Sequence, residues 1–267
     1  MAYNLFEATL DGVAFSSLGA ELILVDIIEH EAKMDTQTVP RGGDYGLMRT
    51  VNRRESLSVE LVFCARTQDV QRRAALLAKV TGWAVNGGAL KINSRPGKIL
   101  YVVMDTPPAL KSSAKWTDEI TLTLTAYDVP YWQSEAVSSA DGNAVSAENG
   151  EYKFTTSLYV DGQIETNVSV VAMTTDAFLS RFSVRCGETM IELVGMGAQP
   201  VEALKIAYSG GILTIENMYA ETDKSLLKYR TVDSSDDLKA KASAANEIVV
   251  SGDAPLLANM QARGLWL

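Results

Sequence analysis

The chain has 267 residues, 47% hydrophobic and 21% charged, with a formal net charge of −9. That length holds one or two domains, each long enough to bury a core, and the composition is that of an ordinary globular protein. The acidic balance argues against a phosphate-backbone partner, and no apolar run approaches the ~20 residues of a membrane span.

The first residues, MAYNLFEATLDGVAF, lack a basic leader and carry Glu7 and Asp11. They do not read as a secretory signal, so synthesis and folding in a cytoplasm are expected. Leu10-Asp11-Gly12 is turn chemistry, because Asp and Gly accept left-handed backbone angles. Residues 22–28, LILVDII, form the most apolar run and predict a buried strand that Asp26 interrupts.

Residues 36–54 follow, TQTVPRGGDYGLMRTVNRR. Pro40, Gly42, Gly43 and Gly46 lie among Arg41, Arg49, Arg53 and Arg54. The segment is too polar to bury alone and has strand patterns on both sides. It predicts a long exposed hairpin or loop, and such loops in compact domains are usually functional.

Residues 56–64 alternate, with Leu57, Val59, Leu61 and Phe63 on one face and Ser58 and Glu60 on the other. Cys64 ends this pattern as a small buried hydrophobe. The one helix follows. Thr67 is the expected N-cap, Asp69 favours the positive end of the dipole, and Gly82 is placed to end it. Val70, Ala74, Leu77 and Thr81 share the expected apolar face, with Leu76 and Val80 beside them, over about 22 Å at 1.5 Å per residue.

Strands are expected at 89–92, 99–104 and 119–128, with turns at Asn86-Gly87-Gly88 and Arg95-Pro96-Gly97. The last strand, EITLTLTAYD, alternates cleanly. It stops before Pro130, which has no amide hydrogen for a ladder. Trp83 and Trp116 read as packing residues.

Residues 134–150, SEAVSSADGNAVSAENG, are small and polar and read as a linker. The expected domains are therefore 1–133 and 151–267. In the second, short strands are expected at 152–160, 165–172, 182–186, 190–194, 201–208, 212–216, 228–232, 247–250 and 261–266. Asp161-Gly162 and Gly210-Gly211 mark turns, and residues 236–245 carry a weak helical pattern. Many short strands with regular turns predict a β-sandwich.

The chemistry-bearing residues are sparse. His30 is the only histidine, no Gly-x-Ser-x-Gly elbow exists, and Cys64 and Cys186 lie far apart. A nucleophilic triad or a zinc cluster lacks its parts. Asp233-Ser234-Ser235-Asp236-Asp237 does not match a calcium loop and reads as a solvated turn. Gly195-Met196-Gly197 is followed by a strand pattern rather than the helix a phosphate loop needs. No catalytic, cofactor-binding or metal-binding residue is assigned, and no cofactor is expected. The candidate site is instead an arm, Val39, Pro40, Arg41, Gly42, Gly43, Asp44, Tyr45, Arg49 and Arg53, reaching a neighbouring subunit.

The order of these features resembles the siphophage distal tail protein (Dit) family. The resemblance rests on the turn Leu10-Asp11-Gly12, the tip Val39-Pro40-Arg41-Gly42-Gly43-Asp44, the strand at 57–63 and the helix at 68–81. The corner Tyr127-Asp128-Val129-Pro130-Tyr131-Trp132 and the ending Ala262-Arg263-Gly264-Leu265-Trp266-Leu267 carry the most weight. It implies a mainly β fold: an N-terminal tail-tube-like sandwich with one packed helix and a long hairpin arm, then a C-terminal galectin-like β-sandwich. It implies a non-enzymatic baseplate hub in the virion tail, six copies closing a ring through the arm. The implied partners are the chain itself, the tail tube protein, a tail tip or tail-associated hub protein and a receptor-binding protein. The resemblance also implies a lumen that passes DNA without binding it specifically, and no entry into a membrane. No insertion large enough for a carbohydrate-binding module is present. A sugar-binding adhesin is the alternative, and a wall hydrolase is a third reading.

Overall fold

The computed structural model describes residues 5–40, 47–109, 115, 117–175, 177–198, 200–209 and 211–267. The chain divides into two compact units, Met1–Trp132 and Gln133–Leu267. The fold is mainly β, and one α-helix occurs among the described residues.

Unit 1 contains β1 (Ala8–Leu10), β2 (Val13–Ala14), β3 (Leu22–Glu29), β4 (Lys33–Pro40), β5 (Leu47–Ala65), α1 (Val70–Ala84), β6 (Gly88–Ile92), β7 (Lys98–Thr106) and β8 (Ile120–Ala126). Its sheet runs β2-β1-β6-β7-β8-β5-β3. The two alternating patterns of the sequence meet at its centre. Leu57, Val59, Leu61 and Phe63 stand opposite Ala126, Leu124, Leu122 and Ile120 in the β5–β8 ladder. All eight are buried. Each large apolar side chain so covered contributes roughly 1.5–3 kcal/mol, which locks the register, since a one-residue slip would turn the set to solvent.

Phe15 joins the layers. Its ring meets Phe63 edge-on at 5.3 Å and Trp83 of α1 at 5.7 Å. The β1–β2 hairpin is closed by Asp11 (φ 46°) and Gly12 (φ 81°), the paired left-handed angles of a tight hairpin turn. Asp11 Oδ1 also accepts the Ala89 N–H at 2.7 Å.

The helix differs from its sequence expectation at both ends. Asp69 is the N-cap, and its carboxylate accepts from the Gln71 and Arg72 N–H groups. Thr67 lies before the cap and accepts the Asp69 N–H through Oγ1. Gly82 does not end the helix, which continues to Ala84. The turn follows instead at Gly87, whose φ is 65°. The buried face is Arg73, Leu76, Leu77, Val80 and Ala84, while Val70 and Ala74 are exposed. The expected stripe was one position off.

Strand β9 (Trp132–Ser134) spans the boundary between the units. Unit 2 then holds β10 (Ser138–Ala144), β11 (Ala147–Glu148), β12 (Glu151–Val160), β13 (Thr166–Asn167), β14 (Ser169–Thr174), β15 (Arg181–Cys186) and β16 (Thr189–Val194). After these come β17 (Ala203–Ser209), β18 (Ile212–Asn217), β19 (Lys239–Ala240), β20 (Ala244–Gly252), β21 (Leu256–Ala262) and β22 (Leu265–Trp266). Two five-stranded sheets, β10-β21-β14-β17-β18 and β11-β12-β20-β15-β16, make the sandwich, with β13–β19 as a separate small ladder. Val170, Ile206, Ile215 and Met260 from the first sheet and Leu158, Val184, Ile191 and Ile248 from the second share one core.

The stretch read as a linker, 134–150, is largely structured. It contains β10, which pairs with β21 from Ser138↔Ala262 to Ala144↔Leu256. Ala140 and Ala144 are its buried positions, too small to announce a strand in sequence. The weak helix at 236–245 is absent; that segment supplies β19 and the start of β20. Residues 228–232 hold a short 3₁₀ turn and an isolated bridge, Leu193↔Arg230, rather than a strand.

The closing motif has a clear structural role. Arg263 Nη1 donates to the carbonyls of Ser134 (3.0 Å) and Glu135 (2.8 Å), and Trp266 Nε1 donates to Ser134 Oγ at 3.1 Å. Between them Gly264 passes so close to the chain that a Cβ there would overlap the Asp161 carbonyl.

Candidate assembly interface

Of the arm residues, Val39, Pro40, Arg49 and Arg53 fall on a two-stranded ribbon. β4 pairs with β5 from Lys33↔Ser56 to Pro40↔Leu47, with irregularities after Lys33 and Gln37. β5 is 19 residues long. Its sheet neighbours reach only part of it, β8 over 57–63 and β3 over 59–65. Among the described residues, 47–56 therefore pair with β4 alone. At ~3.4 Å per residue, the eight residues of β4 make a ribbon about 27 Å long.

Val39 and Pro40 end β4, where a residue without an N–H costs the ladder least. Arg49 and Arg53 lie on β5, opposite Thr38 and Asp35. Arg41, Gly42, Gly43, Asp44 and Tyr45 lie outside the described residues. The ribbon's root is tied down by charge. Lys33 Nζ pairs with Glu55 Oε2 at 2.9 Å, and that contact holds the Lys33 ammonium above its usual pKa. The Arg54 guanidinium sits 4.7 Å from the centre of the Tyr131 ring, in the aromatic-proline corner.

The ordinary strand edges are treated differently, and sequence reading missed this. The outer edge of β16 is covered by the 231–235 turn. Met190 exchanges bonds with Ser235, giving its N–H to Ser235 Oγ (3.0 Å) and accepting the Ser235 N–H (2.7 Å). Glu192 gives its N–H to Ser234 Oγ (2.9 Å) and accepts the Thr231 N–H (3.0 Å). The acidic run at 233–237 is thus an edge cover. Asp236 pairs with Arg230 at 2.6 Å and Asp237 with Lys239 at 2.9 Å. On β18, Ile215 accepts the Leu226 N–H and Asn217 donates to Lys224 O, both at 2.8 Å. On β3 a bulge falls at Val25, and the Asp26 carboxylate takes the Ile27 N–H at 2.8 Å. Bulges and inserted charges are how sheets avoid unwanted pairing.

The remaining candidates are structural. His30 Nε2 lies 3.0 Å from Glu60 Oε1 on the sheet surface. Cys64 and Cys186 are both buried as free thiols. Met196 of the Gly195-Met196-Gly197 run is a core residue in a 3₁₀ turn. A depression of about 520 Å³ beside α1 is lined by Asp11, Lys79 and Trp83. Its polar groups already serve the fold: Asp11 holds Ala89, Trp83 Nε1 donates to Val13 O at 3.0 Å, and Lys79 Nζ to Leu18 O at 3.5 Å. No group of three His, Cys, Asp or Glu side chains that could hold a metal occurs among the described residues. No helix there is long and apolar enough to cross a membrane.

No family model and no curated protein sequence matches the chain. Solved structures do. The SPP1 Dit (gp 19.1) protein, described as a paradigm of the hub adsorption apparatus in phages that infect Gram-positive bacteria, aligns with a TM-score of 0.62. The alignment covers 96% of this chain and 98% of that one, at 10% identity. The chain has the fold of a Dit hub protein. The phage P2 baseplate, in its activated conformation with Ca, also aligns over 92% of this chain and 97% of that one, at 7% identity and a TM-score of 0.42. The likeness to the SPP1 Dit structure takes in residues of both units.

Proposed function

We propose that this protein is a structural component of the tail hub of a long-tailed, non-contractile phage, and that it performs no chemistry of its own. Six copies close a ring through the β4–β5 ribbon. The ring joins the tail tube to the tip proteins, offers its outer surface to receptor-binding proteins, and leaves a lumen for DNA. The chain is made in the host cytoplasm and ends in the virion tail.

The observation that carries this reading is the end-to-end likeness to the SPP1 Dit protein, 96% of one chain on 98% of the other. Two further facts support it. Among the described residues, 33–40 and 47–56 of the ribbon are paired on one side only, which suits assembly. The net charge of −9 suits a conduit that DNA must traverse without sticking. The test is electron microscopy of phage particles in which this chain carries a C-terminal label. The label is expected at the junction of tube and tip. Label along the whole tube, on the head, or absent from particles contradicts the proposal.

A further inference from the structure

We propose that a partner protein docks on unit 2 at one end of the β10-β21-β14-β17-β18 sheet, along Leu257, Met173 and Met218, and that it brings apolar side chains together with a lysine or arginine. This rests on the hub reading above and adds which surface a tail partner takes and what chemistry it must carry.

Directly paired residues of antiparallel strands share a face, so the side of this sheet turned from the core reads in rungs. One rung is largely polar: Asp141, Asn259, Val171, Lys205 and Glu216 stand side by side. Asn259 Nδ2 donates to Asp141 Oδ1 there at 2.7 Å. The next rung is apolar. Leu257 stands opposite Met173 and Met173 opposite Ala203, whose carbonyl accepts the Met218 N–H at 2.9 Å. Leu257, Met173 and Met218 are 48%, 41% and 45% exposed, and Tyr219, next to Met218, is 60% exposed. Phe178, also exposed, lies in a turn fixed to the same end by the Leu179 N–H on Val201 O at 2.9 Å. Single exposed apolar side chains are ordinary, but a group of them at one end of one sheet marks an interaction surface. Thioether and aromatic side chains suit a protein partner, because they adapt to its shape.

Charge selects the partner. Gln133–Leu267 holds 18 Asp and Glu against 10 Lys and Arg, so −8 of the chain's net −9 lies in unit 2. On either side of Met218, Asn217 and Tyr219 line a depression of about 360 Å³ together with Glu202 and Asp223. Asn217 is buried and braces it: Nδ2 donates to Pro200 O at 3.1 Å, and Oδ1 accepts the Tyr219 N–H at 3.2 Å. Asp223 pairs on its outer side with Lys228 at 2.6 Å. Two carboxylates beside an apolar rung fit a lysine or arginine whose aliphatic stem lies on the methionines and whose cation meets the depression. Nucleic acid is repelled by this unit. Unit 2 of another copy carries the same negative charge, and unit 1 is close to balance, with 14 basic and 15 acidic residues.

Photo-cross-linking in assembled particles tests this. Phage carry the full chain with Met173→p-benzoylphenylalanine or, separately, Leu257→p-benzoylphenylalanine. Purified particles are irradiated, and the linked peptides are identified by mass spectrometry. From both positions the expected product is a peptide of a different virion protein, with apolar residues and a Lys or Arg beside the link. Adding Glu202→Lys is expected to lower that product several-fold while the chain is still incorporated. An undiminished product, or a linked peptide without a Lys or Arg, overturns the charge pairing. Links only to peptides of this chain overturn the partner in favour of a second copy. Particles that hold the chain but give no link overturn the docking face and leave the hub reading standing. Native particles that lack the chain overturn the hub reading and this inference with it.

Discussion

Glu29 Oε2 accepts the indole N–H of Trp132 at 3.0 Å. The same oxygen accepts Arg95 Nε at 2.9 Å, and the guanidinium lies 5.6 Å from the Trp132 ring centre. Trp132 is 1% exposed. One carboxylate thus ties the end of β3, the β6–β7 turn and the last residue of unit 1. Replacing Glu29 by Ala leaves a buried indole donor without its acceptor and removes one contact of the Arg95 guanidinium. A loss of about 2 kcal/mol in urea unfolding is expected, whereas Trp132→Phe, in which Glu29 keeps Arg95, removes a single donor. Equal stability of Glu29→Ala and the native chain contradicts this role.

The helix start gives a second test. Asp69 caps two N–H groups of α1, and Thr67 caps none within it. Asp69→Ala should cost about 1 kcal/mol and Thr67→Ala a few tenths. Denaturant midpoints of the two variants decide between them, and a larger loss at Thr67 restores the sequence-based cap.

Ser234 is the clasp of the β16 edge. Its hydroxyl accepts from Glu192 N–H and donates back to Glu192 O at 3.1 Å. Ser234→Ala strands a donor that is covered from water, at a cost of about 1–3 kcal/mol. It also loosens the cover on a strand edge, so turbidity on heating should appear earlier than in the native chain. An unchanged melting profile with no earlier turbidity counts against the edge-cover role.

Alkaline titration probes the core of unit 2. Burial pushes the Cys186 thiol from 9.0 up to about 11, and burial likewise pushes the Tyr208 hydroxyl from 10.0 up to about 12. In both cases the charged form is the deprotonated one, and the unfolded chain loses its proton first. The contribution of Cys186 is therefore intact below pH 9 and is lost as pH rises to about 11, about 3 kcal/mol in all. Cys186→Ala should flatten stability between pH 9 and 11 while leaving the fall between 10 and 12 from Tyr208. A slope identical to the native chain contradicts the assignment.

The strands with clean alternation were legible in the sequence because one face had to be buried. Residues 57–63 and 120–126 announce themselves through Leu, Val and Phe, and they meet in the β5–β8 ladder. β10 was not legible, because its buried residues are alanines and its turn-like polar residues mimic a linker. The helix face slipped because Arg73 is buried on it, against its type. The ribbon's existence could be read from glycine and arginine spacing. The covers on β16 and β18 could not, because they join residues 7 to 45 positions apart through serine hydroxyls and backbone groups that carry no periodic signal. The same holds for Glu29, Arg95 and Trp132, which meet only after the chain has folded.

The central claim is that copies of this chain close into a ring through the β4–β5 ribbon. Mass by light scattering, on the intact chain and on a variant lacking residues 39–53, tests it most directly. Six copies of a 28.9 kDa chain give about 173 kDa. The account predicts that ring mass for the intact chain, and a folded monomer with native circular dichroism for the deletion. A ring that persists without the ribbon, or an intact chain that stays at monomer mass at high concentration, contradicts it.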